Sequence, residues 1–147
     1  MDGGLCIQMK RTDLAYIAGI VDGEGYIGIT ADHHKRGRRS YRLRVTVTNT
    51  EIWLINHLKF AVGGGLVILK NPSVHRQQCW QWQIGDRKAG EFLKLILPYL
   101  HLKKPQAELG IKFQEAKGRS TRGLTDNERA VEEAQKILLQ TMKRNKV

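Results

Sequence analysis

Two acidic residues, Asp22 and Glu24, stand in a glycine-rich segment near the start of this 147-residue chain. The residues before them, from Thr12 or Asp13 to about Asp22, begin with a capping residue and continue with the apolar spacing of an amphipathic helix. Both acids would lie at the carboxyl end of that helix, where the helix dipole mildly disfavours negative charge. The segment could be an ordinary helix with an acidic last turn. A carboxylate held against this field, in a chain of net charge +11, indicates instead a bound cation.

The charge of the chain limits its partners. The 25 Lys and Arg residues against 14 Asp and Glu residues give a pI near 10.0, which favours a polyanion such as nucleic acid. No apolar segment approaches the roughly 18 residues of a membrane-spanning helix, and the first residues lack a signal-peptide pattern. We therefore expect an intracellular protein with access to DNA, in the cytoplasm, nucleoid or an organelle, and no membrane partner. Cys6 and Cys79 fit no metal-binding pattern and are expected to be buried or incidental thiols.

Hydrophobic periodicity predicts an α+β domain. The chain order is helix, two strands, helix, two strands and then three helices, because apolar spacing changes between the helical and the strand period in this sequence. Helix-strand-strand repeated twice indicates one antiparallel sheet. The predicted ranges are 12–22, 26–32, 41–48, 50–62, 66–70, 75–84, 86–98, 105–117 and a last helix from Thr125, after a polar linker over 118–123.

Capping residues support the helix starts. Thr50 and Asp86 are expected to cap the second and third helices, Pro105 to occupy the first position of the fourth, and Thr125 with Glu128 to form a capping box for the last. The apolar stripe predicted to pack this last helix comprises Val131, Ala134, Leu138 and Thr141 or Met142.

The two faces of the second strand differ in character. Its apolar face carries Tyr41, Leu43, Val45 and Val47, and its polar face carries Arg42, Arg44, Thr46 and Thr48. The polar face could be an ordinary solvated surface, but two arginines beside two threonines favour contact with DNA. The three tryptophans are expected to lie mostly in the core; they are Trp53, Trp80 and Trp82.

Residues 17–25, Ile-Ala-Gly-Ile-Val-Asp-Gly-Glu-Gly, resemble the signature of the LAGLIDADG homing endonucleases, with Glu24 in place of the usual last Asp. A strand and then a basic strand follow, as in that family. The resemblance implies the αββαββα fold with an antiparallel DNA-binding sheet over about residues 10–117 of a single domain, 1–147. Residues 118–147 would form a linker and an extra C-terminal helix. The resemblance further implies an intron-encoded nuclease that hydrolyses both strands of a long pseudo-palindromic DNA target.

The resemblance also implies the roles of individual residues. Glu24 would be the metal ligand, the carbonyl of Gly23 would assist it, and Asp22 would stabilise the helix junction. Lys103, in the segment Leu-His-Leu-Lys, would be the catalytic basic residue before the post-sheet helix, although it could be one of many solvated lysines. Asn49 would order the active-site water, or it could equally end the strand or cap the next helix.

The implied cofactor is Mg²⁺, for which Mn²⁺ or Ca²⁺ could substitute. Two-metal sites hold the attacking and leaving oxygens of a phosphodiester, and Mg²⁺ needs few protein ligands because it keeps several waters. One motif copy supplies one carboxylate, so the resemblance implies a homodimer that pairs the motif helices. The helix face proposed for this contact has almost no side chains and comprises Ala15, Ala18, Gly19 and Asp22.

The sheet would read DNA in the major groove, where the base edges distinguish all four base pairs. Counting by twos along each strand places one set of mostly polar residues on the same face. The set comprises Tyr26, Gly28, Thr30, Asp32, Arg42, Arg44, Thr46, Thr48, Ile68, Lys70, Gln77, Gln81 and Gln83. The basic turn would hold phosphates through Lys35, Arg36, Arg38 and Arg39.

Two other functions are compatible with the same fold and charge. An intron RNA maturase, with intron RNA as its partner, needs the basic surface but no cleavage. A DNA-binding regulator would use the sheet and lack the metal site. Neither function needs Glu24, so the acid at this position favours the nuclease.

Overall fold

A computed structural model describes residues 9–33, 39–69, 77–117 and 125–144. The predicted α+β class and the order of elements are confirmed, with a short 3-10 turn at Leu97–Tyr99 inserted before the fourth helix. The elements are α1 (Arg11–Glu24), β1 (Gly25–His33), β2 (Arg39–Asn49), α2 (Ile52–Val62), β3 (Gly65–Leu69), β4 (Cys79–Gly85), α3 (Asp86–Ile96), α4 (Lys104–Lys117) and α5 (Asp126–Arg144).

The strands form one antiparallel sheet in the order β1-β2-β4-β3. The predicted alternation is confirmed, because Ile27 and Ile29 on β1 and the apolar residues of β2 are buried on one face; the latter are Tyr41, Leu43, Val45 and Val47. Helices α1, α2, α3 and α4 pack on that face. At Gly110 of α4, an added Cβ would lie 2.9 Å from Leu43 Cδ1, so the glycine lets α4 approach the sheet closely. The opposite, polar face is left open by these helices.

The end of α2 is held to the sheet by a tryptophan. The indole nitrogen Nε1 of Trp82 donates a hydrogen bond of 2.6 Å to the carbonyl of Gly63, and its ring meets Phe92 edge to face at 5.4 Å between centroids. Gly63 and Gly64 have φ of 99° and 89°, values that favour glycine. The prediction of core tryptophans holds for Trp82 and in part for Trp80, which is half-buried, and is wrong for Trp53, which is 58% exposed.

Several predicted helix starts are displaced by one or two residues. Glu51, and not Thr50, precedes α2, because Asn49 Oδ1 accepts the hydrogen bond from the backbone N–H of Glu51 at 2.8 Å. Gly85 precedes α3, and Asp86 is its first residue with a φ of 57°. Because α4 begins at Lys104, Pro105 occupies its second position, where a missing N–H is equally tolerated.

The last helix begins as predicted but packs through a different face. The capping box is confirmed: Thr125 N–H donates to Glu128 Oε1 at 3.3 Å, and Glu128 N–H donates to Thr125 Oγ1 at 3.2 Å. The predicted apolar stripe is wrong, because α5 buries Glu132 and Leu139 and leaves Leu138 exposed. The predicted stripe residues Val131, Ala134 and Thr141 are likewise exposed, and Met142 is half-buried. Glu132 takes the inward position because it forms an ion pair with a lysine of another helix.

That ion pair joins α5 to α4. Lys117 Nζ lies 3.3 Å from Glu132 Oε1 and also donates to the carbonyl of Tyr41 on β2. Burying the acid is favourable only because a cation and hydrogen bonds compensate it, which fixes the rotation of α5. No helix within the described ranges combines the length and the apolar character needed to cross a membrane.

Candidate metal centre and nucleic-acid interface

Helix α1 passes into strand β1 without a loop. The backbone N–H of Gly25, the first strand residue, donates to the carbonyl of Val21. A Cβ added at Gly25 would lie 2.6 Å from this carbonyl oxygen, closer than any side chain can approach, so glycine is required there. The direction of the chain at Glu24, the last helical residue, is therefore fixed by backbone contacts on both sides.

The Glu24 carboxylate is exposed at this junction. Among the described residues it makes no hydrogen bond or ion pair, and Gly23 beside it is also exposed. The carboxylate and the unpaired carbonyls of a last helical turn are hard oxygen ligands, which suit Mg²⁺ or Ca²⁺. No cluster of three His, Cys, Asp or Glu residues that could hold a metal occurs in the described part of the chain. One chain thus offers a single carboxylate here.

Asp22 faces the start of α4. Its Oδ2 accepts the backbone N–H of His101 at 2.8 Å, and its Oδ1 accepts those of Leu102 at 3.2 Å and Lys103 at 3.0 Å. Burial alone would raise the pKa of Asp22, but these hydrogen bonds, with the charge of Lys103, lower it below 3.8. The carboxylate is engaged in the junction, which is the role implied for Asp22.

Lys103 is brought to the same place by a reciprocal contact. Its Nζ donates a hydrogen bond of 2.6 Å to the backbone carbonyl of Asp22, two residues before Glu24. Its neighbour Lys104 is exposed. A lysine bound to the end of the motif helix is not one of the freely solvated lysines of the surface, so the geometry favours a role for Lys103 in the site.

Asn49 is the last residue of β2 and lies at the end of the sheet where α1 passes into β1. The register pairs Gly25 with Val47, so two residues further Asn49 is level with the last turn of α1. Its Oδ1 is engaged with the N–H of Glu51, which is the helix-capping alternative. Its amide N–H groups have no acceptor among the described residues and can still donate to a water or a phosphate.

The polar face of the sheet is continuous across three strands. The register places Thr46 opposite Gln83 and Thr48 opposite Gln81. Arg44 Nη1 donates to Gln83 Oε1 at 3.1 Å, and Gln81 Nε2 donates to Thr48 Oγ1 at 3.1 Å. The predicted glutamine face of β4 is therefore present in the strand, while exposed Gln77 lies just before it.

Arg42 lies on this face but is held by two carboxylates. Its Nε and Nη2 donate to the Oδ1 and Oδ2 of Asp86 at 3.2 and 2.5 Å, and its Nη1 lies 3.6 Å from Asp32. The hydrogen bonds and charge of Asp86, together with Asp32, raise the pKa of Arg42. In this pair the guanidinium donates two hydrogen bonds to one carboxylate, and Arg binds guanine through the same two-bond geometry. Arg42 therefore lies on the predicted face with its guanidinium engaged by Asp86 and Asp32, and its contact with base edges stays a prediction.

Tyr26 and Gly28 share the beginning of the polar face. A Cβ added at Gly28 would lie 2.3 Å from the Tyr26 ring, so the ring lies across the glycine and buries it. Gly28 has the predicted direction but offers no open contact, whereas Tyr26 is 42% exposed. Thr30 Oγ1 donates to the carbonyl of Arg42 at 3.4 Å. Lys35, Arg36, Arg38 and Lys70 lie outside the described residues, as do the side chains of Arg39 and Ile68.

Fewer residues of α1 face outward than the four predicted for the dimer contact. Ala15 and Gly19 are exposed, and no atom of the described part of the chain lies within 4 Å of a Cβ added at Gly19. Ala18 is fully buried inside the chain, because α3 and β2 pack on that side of the helix, so it cannot face a second copy. Asp22 is also withdrawn from this face by its contacts with residues 101–103.

An aromatic cluster extends the outer face onto α2. The ring of His57 stacks on Trp53 at 5.0 Å between centroids and meets Tyr16 edge to face at 6.0 Å. Tyr16 and Trp53 are 50% and 58% exposed, and Phe60, about one turn after His57 on α2, is 93% exposed. The spacing of four and three residues from Trp53 to Phe60 is the sequence signal for this second exposed face.

Comparison with known proteins identifies the fold. No family model and no curated protein matches the chain. The solved homing endonuclease I-CvuI, in complex with a DNA target, matches with a TM-score of 0.77 and 18% identity over 92% of this chain and 85% of its own. The archaeal intron-encoded homing endonuclease I-Vdi141I, complexed with DNA, matches with 0.74 and 14% identity over 92% and 87%. I-TnaI matches with 0.65 and 17% identity over 94% and 96%. The chain has the homing-endonuclease fold.

Asp22→Asn should lower the free energy of unfolding by about 1 kcal/mol near neutral pH, because hydrogen bonds to a charged carboxylate are replaced by fewer and weaker ones to an amide. The amide keeps one acceptor oxygen and cannot serve three backbone amides. Because the pKa of Asp22 is lowered in the fold, the wild-type advantage is full above the ordinary value of 3.8 and is lost as the pH falls through the lower folded value. Urea denaturation from neutral to strongly acidic pH, with Glu108→Gln as a surface control, measures this. A difference that does not change with pH would exclude the carboxylate charge as its cause.

Proposed function

We propose that this protein is a homodimeric LAGLIDADG homing endonuclease that cuts both strands of a long pseudo-palindromic DNA target by metal-dependent hydrolysis. The observation that carries the proposal is the junction of α1 and β1. There Glu24 presents an exposed carboxylate, and the Lys103 ammonium is bound to the carbonyl of Asp22, two residues before it, beside a polar sheet face. The fold supports it, since I-CvuI was solved with DNA targets and Mg or Ca, and I-Vdi141I with DNA.

Glu24 and the carbonyl of Gly23 would hold the divalent cation, Mg²⁺ by preference. When bound, such an ion lowers the pKa of a water and neutralises charge at the leaving oxygen of a phosphodiester. Lys103 places an ammonium next to the same helix end, where it would stabilise negative charge that develops on the phosphate. Asn49 would orient a water through its free amide N–H groups.

A second copy would complete the site through the outer face of α1. Ala15 and Gly19 offer a surface on which two helix backbones can approach closely, and the aromatic cluster of Tyr16, Trp53 and His57 adjoins it. Pairing about a two-fold axis would bring two Glu24 carboxylates together. In agreement, meganuclease I-SmaMI matches this chain over only 49% of its own length, so its chain is long enough for two such units.

Base recognition would fall mainly to Arg44 and the glutamines of β4. Arg and Gln can bind guanine and adenine with two hydrogen bonds each. Arg44 is paired only with the neutral amide of Gln83, a contact that it can exchange for a base edge more readily than an ion pair. Arg42, held by Asp86 and Asp32, would contribute positive potential and fix the shape of the face.

Glu24→Gln should abolish cleavage and leave DNA affinity within about tenfold, because the amide keeps the shape and loses the charge that holds the metal. A randomised duplex library incubated with Mg²⁺, followed by sequencing of cut ends, measures cleavage at any target sequence. Glu108→Gln, at an exposed carboxylate of α4, is the control and should cut like the wild type. Cutting by Glu24→Gln at the wild-type rate would remove Glu24 from the metal site. A wild type that binds but never cuts would favour a maturase or a regulator.

Gly19→Leu should give folded monomers that cannot make double-strand breaks. Among the described residues nothing lies within 4 Å of a Cβ at this position, so we expect a leucine to disturb mainly a contact with another molecule. Gly19→Ala, with a much smaller side chain, is the control and should keep more of the dimer. Sedimentation velocity and circular dichroism report assembly and folding separately. An intact dimer of Gly19→Leu would place the interface elsewhere.

Arg44→Ala should relax the preference at one base pair in each half-site, at a cost of about 1–3 kcal/mol for the correct base. Arg42→Ala is the matched comparison on the same strand face: because its fork is already occupied by Asp86, its loss should weaken binding more evenly over all sequences. The profile of cleaved library sequences distinguishes the two results. An unchanged profile for Arg44→Ala would place this strand face away from the groove.

A further inference from the structure

Helix α5 reaches the candidate metal centre from the edge of the sheet. It packs against α4 and against β1, which is one of the two edge strands of the sheet. Leu139 is buried in the core and anchors the second half of the helix. The last turn of α5 therefore lies against the beginning of β1, two residues after Glu24, with Tyr26 as the contact residue.

Lys143, in this last turn, occupies an unusual environment. Its Nζ lies 3.4 Å from the centroid of the Tyr26 ring. The same nitrogen is buried and has no hydrogen-bond acceptor within the described part of the chain. An ammonium has three N–H donors, and contact with the face of an aromatic ring replaces only part of its hydration. The group therefore lacks the partner that buried charges have in folded proteins.

A second ammonium increases this deficit. Burial, and then the positive charge of Lys103, lower the pKa of Lys143 to about 8. Lys103 itself is bound to the carbonyl of Asp22 at the end of α1. Lys143 of α5 and Lys103, just before α4, thus converge beside the Glu24 junction, and no carboxylate within the described residues forms an ion pair with Lys143. An anion entering from outside the chain would compensate the charge.

We propose that Lys143 contacts a backbone phosphate of the DNA next to the scissile bond, so that α5 supplies a substrate-binding residue to the site formed by α1 and α4. The ligand chemistry is a phosphodiester, the anion that the polar sheet face would bring to this position. This inference rests on the proposed function. It assigns a role to the C-terminal helix, which the motif resemblance leaves without one. A purely structural Lys143 would instead cover the Tyr26 ring with its aliphatic stem.

Cleavage kinetics with the full-length protein test the contact. Lys143→Met keeps the stem over Tyr26 and removes the charge; we expect its single-turnover cleavage rate to fall by about tenfold to a hundredfold. Lys143→Arg should retain activity within about threefold, because arginine also binds phosphate. The control is Lys136→Met, on the same face of α5 about 10 Å away along the helix axis, and it should cut normally. Equal rates for Lys143→Met and the wild type would overturn the proposal, as would a failure of Lys143→Arg to restore a lost rate.

A measurement that needs no cleavage separates this inference from the proposed function. In protein labelled with ¹³C at lysine Cε, the Lys143 signal is assigned by its absence in Lys143→Arg. A duplex selected for binding in Ca²⁺ should shift this signal and not that of Lys136. A shifted signal in a protein that never cuts DNA would support the phosphate contact and reject the nuclease. An unshifted signal in bound DNA would reject the contact, whether or not the protein cuts.

Discussion

Asp22 and the backbone of residues 101–103 join two segments that lie 79 or more residues apart in the sequence. Backbone N–H groups outside regular structure need an acceptor when they are withdrawn from water, and the carboxylate of Asp22 accepts hydrogen bonds from three of them just before α4. Lys103 returns the contact by donating to the carbonyl of Asp22. The placement of Glu24 relative to Lys103, and with it any chemistry that needs both groups, depends on this exchange between the end of one helix and the beginning of another.

The acids on the polar face of the sheet decide which cations remain available. In a chain of net charge +11, a face with arginines alone would attract any polyanion. Asp86 and Asp32 engage the fork of Arg42, whereas Arg44 meets only the neutral amide of Gln83. Since a hydrogen bond between two ions is stronger than one between an ion and an amide, Arg44 is the arginine that can change partners at lower cost. Selective pairing thus leaves Arg44 as the arginine of this face on which the proposed base recognition depends.

The sequence predicts local order well because alternation and capping depend on neighbouring residues. The buried side of β2 and the capping box before α5 follow from such patterns. Faces that depend on distant packing do not: Ala18 is buried by α3 and β2, and Glu132 is drawn inward by Lys117 of another helix. In the candidate site the motif resemblance pointed to Glu24 and Lys103. The approach of Lys143 depends on where α5 packs, and no residue near Lys143 in the sequence indicates that.

Helix α1 shows how one short element can serve several contacts without conflict. Ile17 and Val21 point into the core, Asp22 binds the start of α4, and Gly19 faces outward. These directions are separated around the helix because successive residues are rotated by about 100°. The end of the helix is fixed from inside, where Gly25 bonds to Val21, so Glu24 keeps its position when a side chain on the outer face is changed. The proposed dimer contact and the proposed metal ligand can therefore share a segment of fewer than ten residues, which a flexible loop at this junction would not allow.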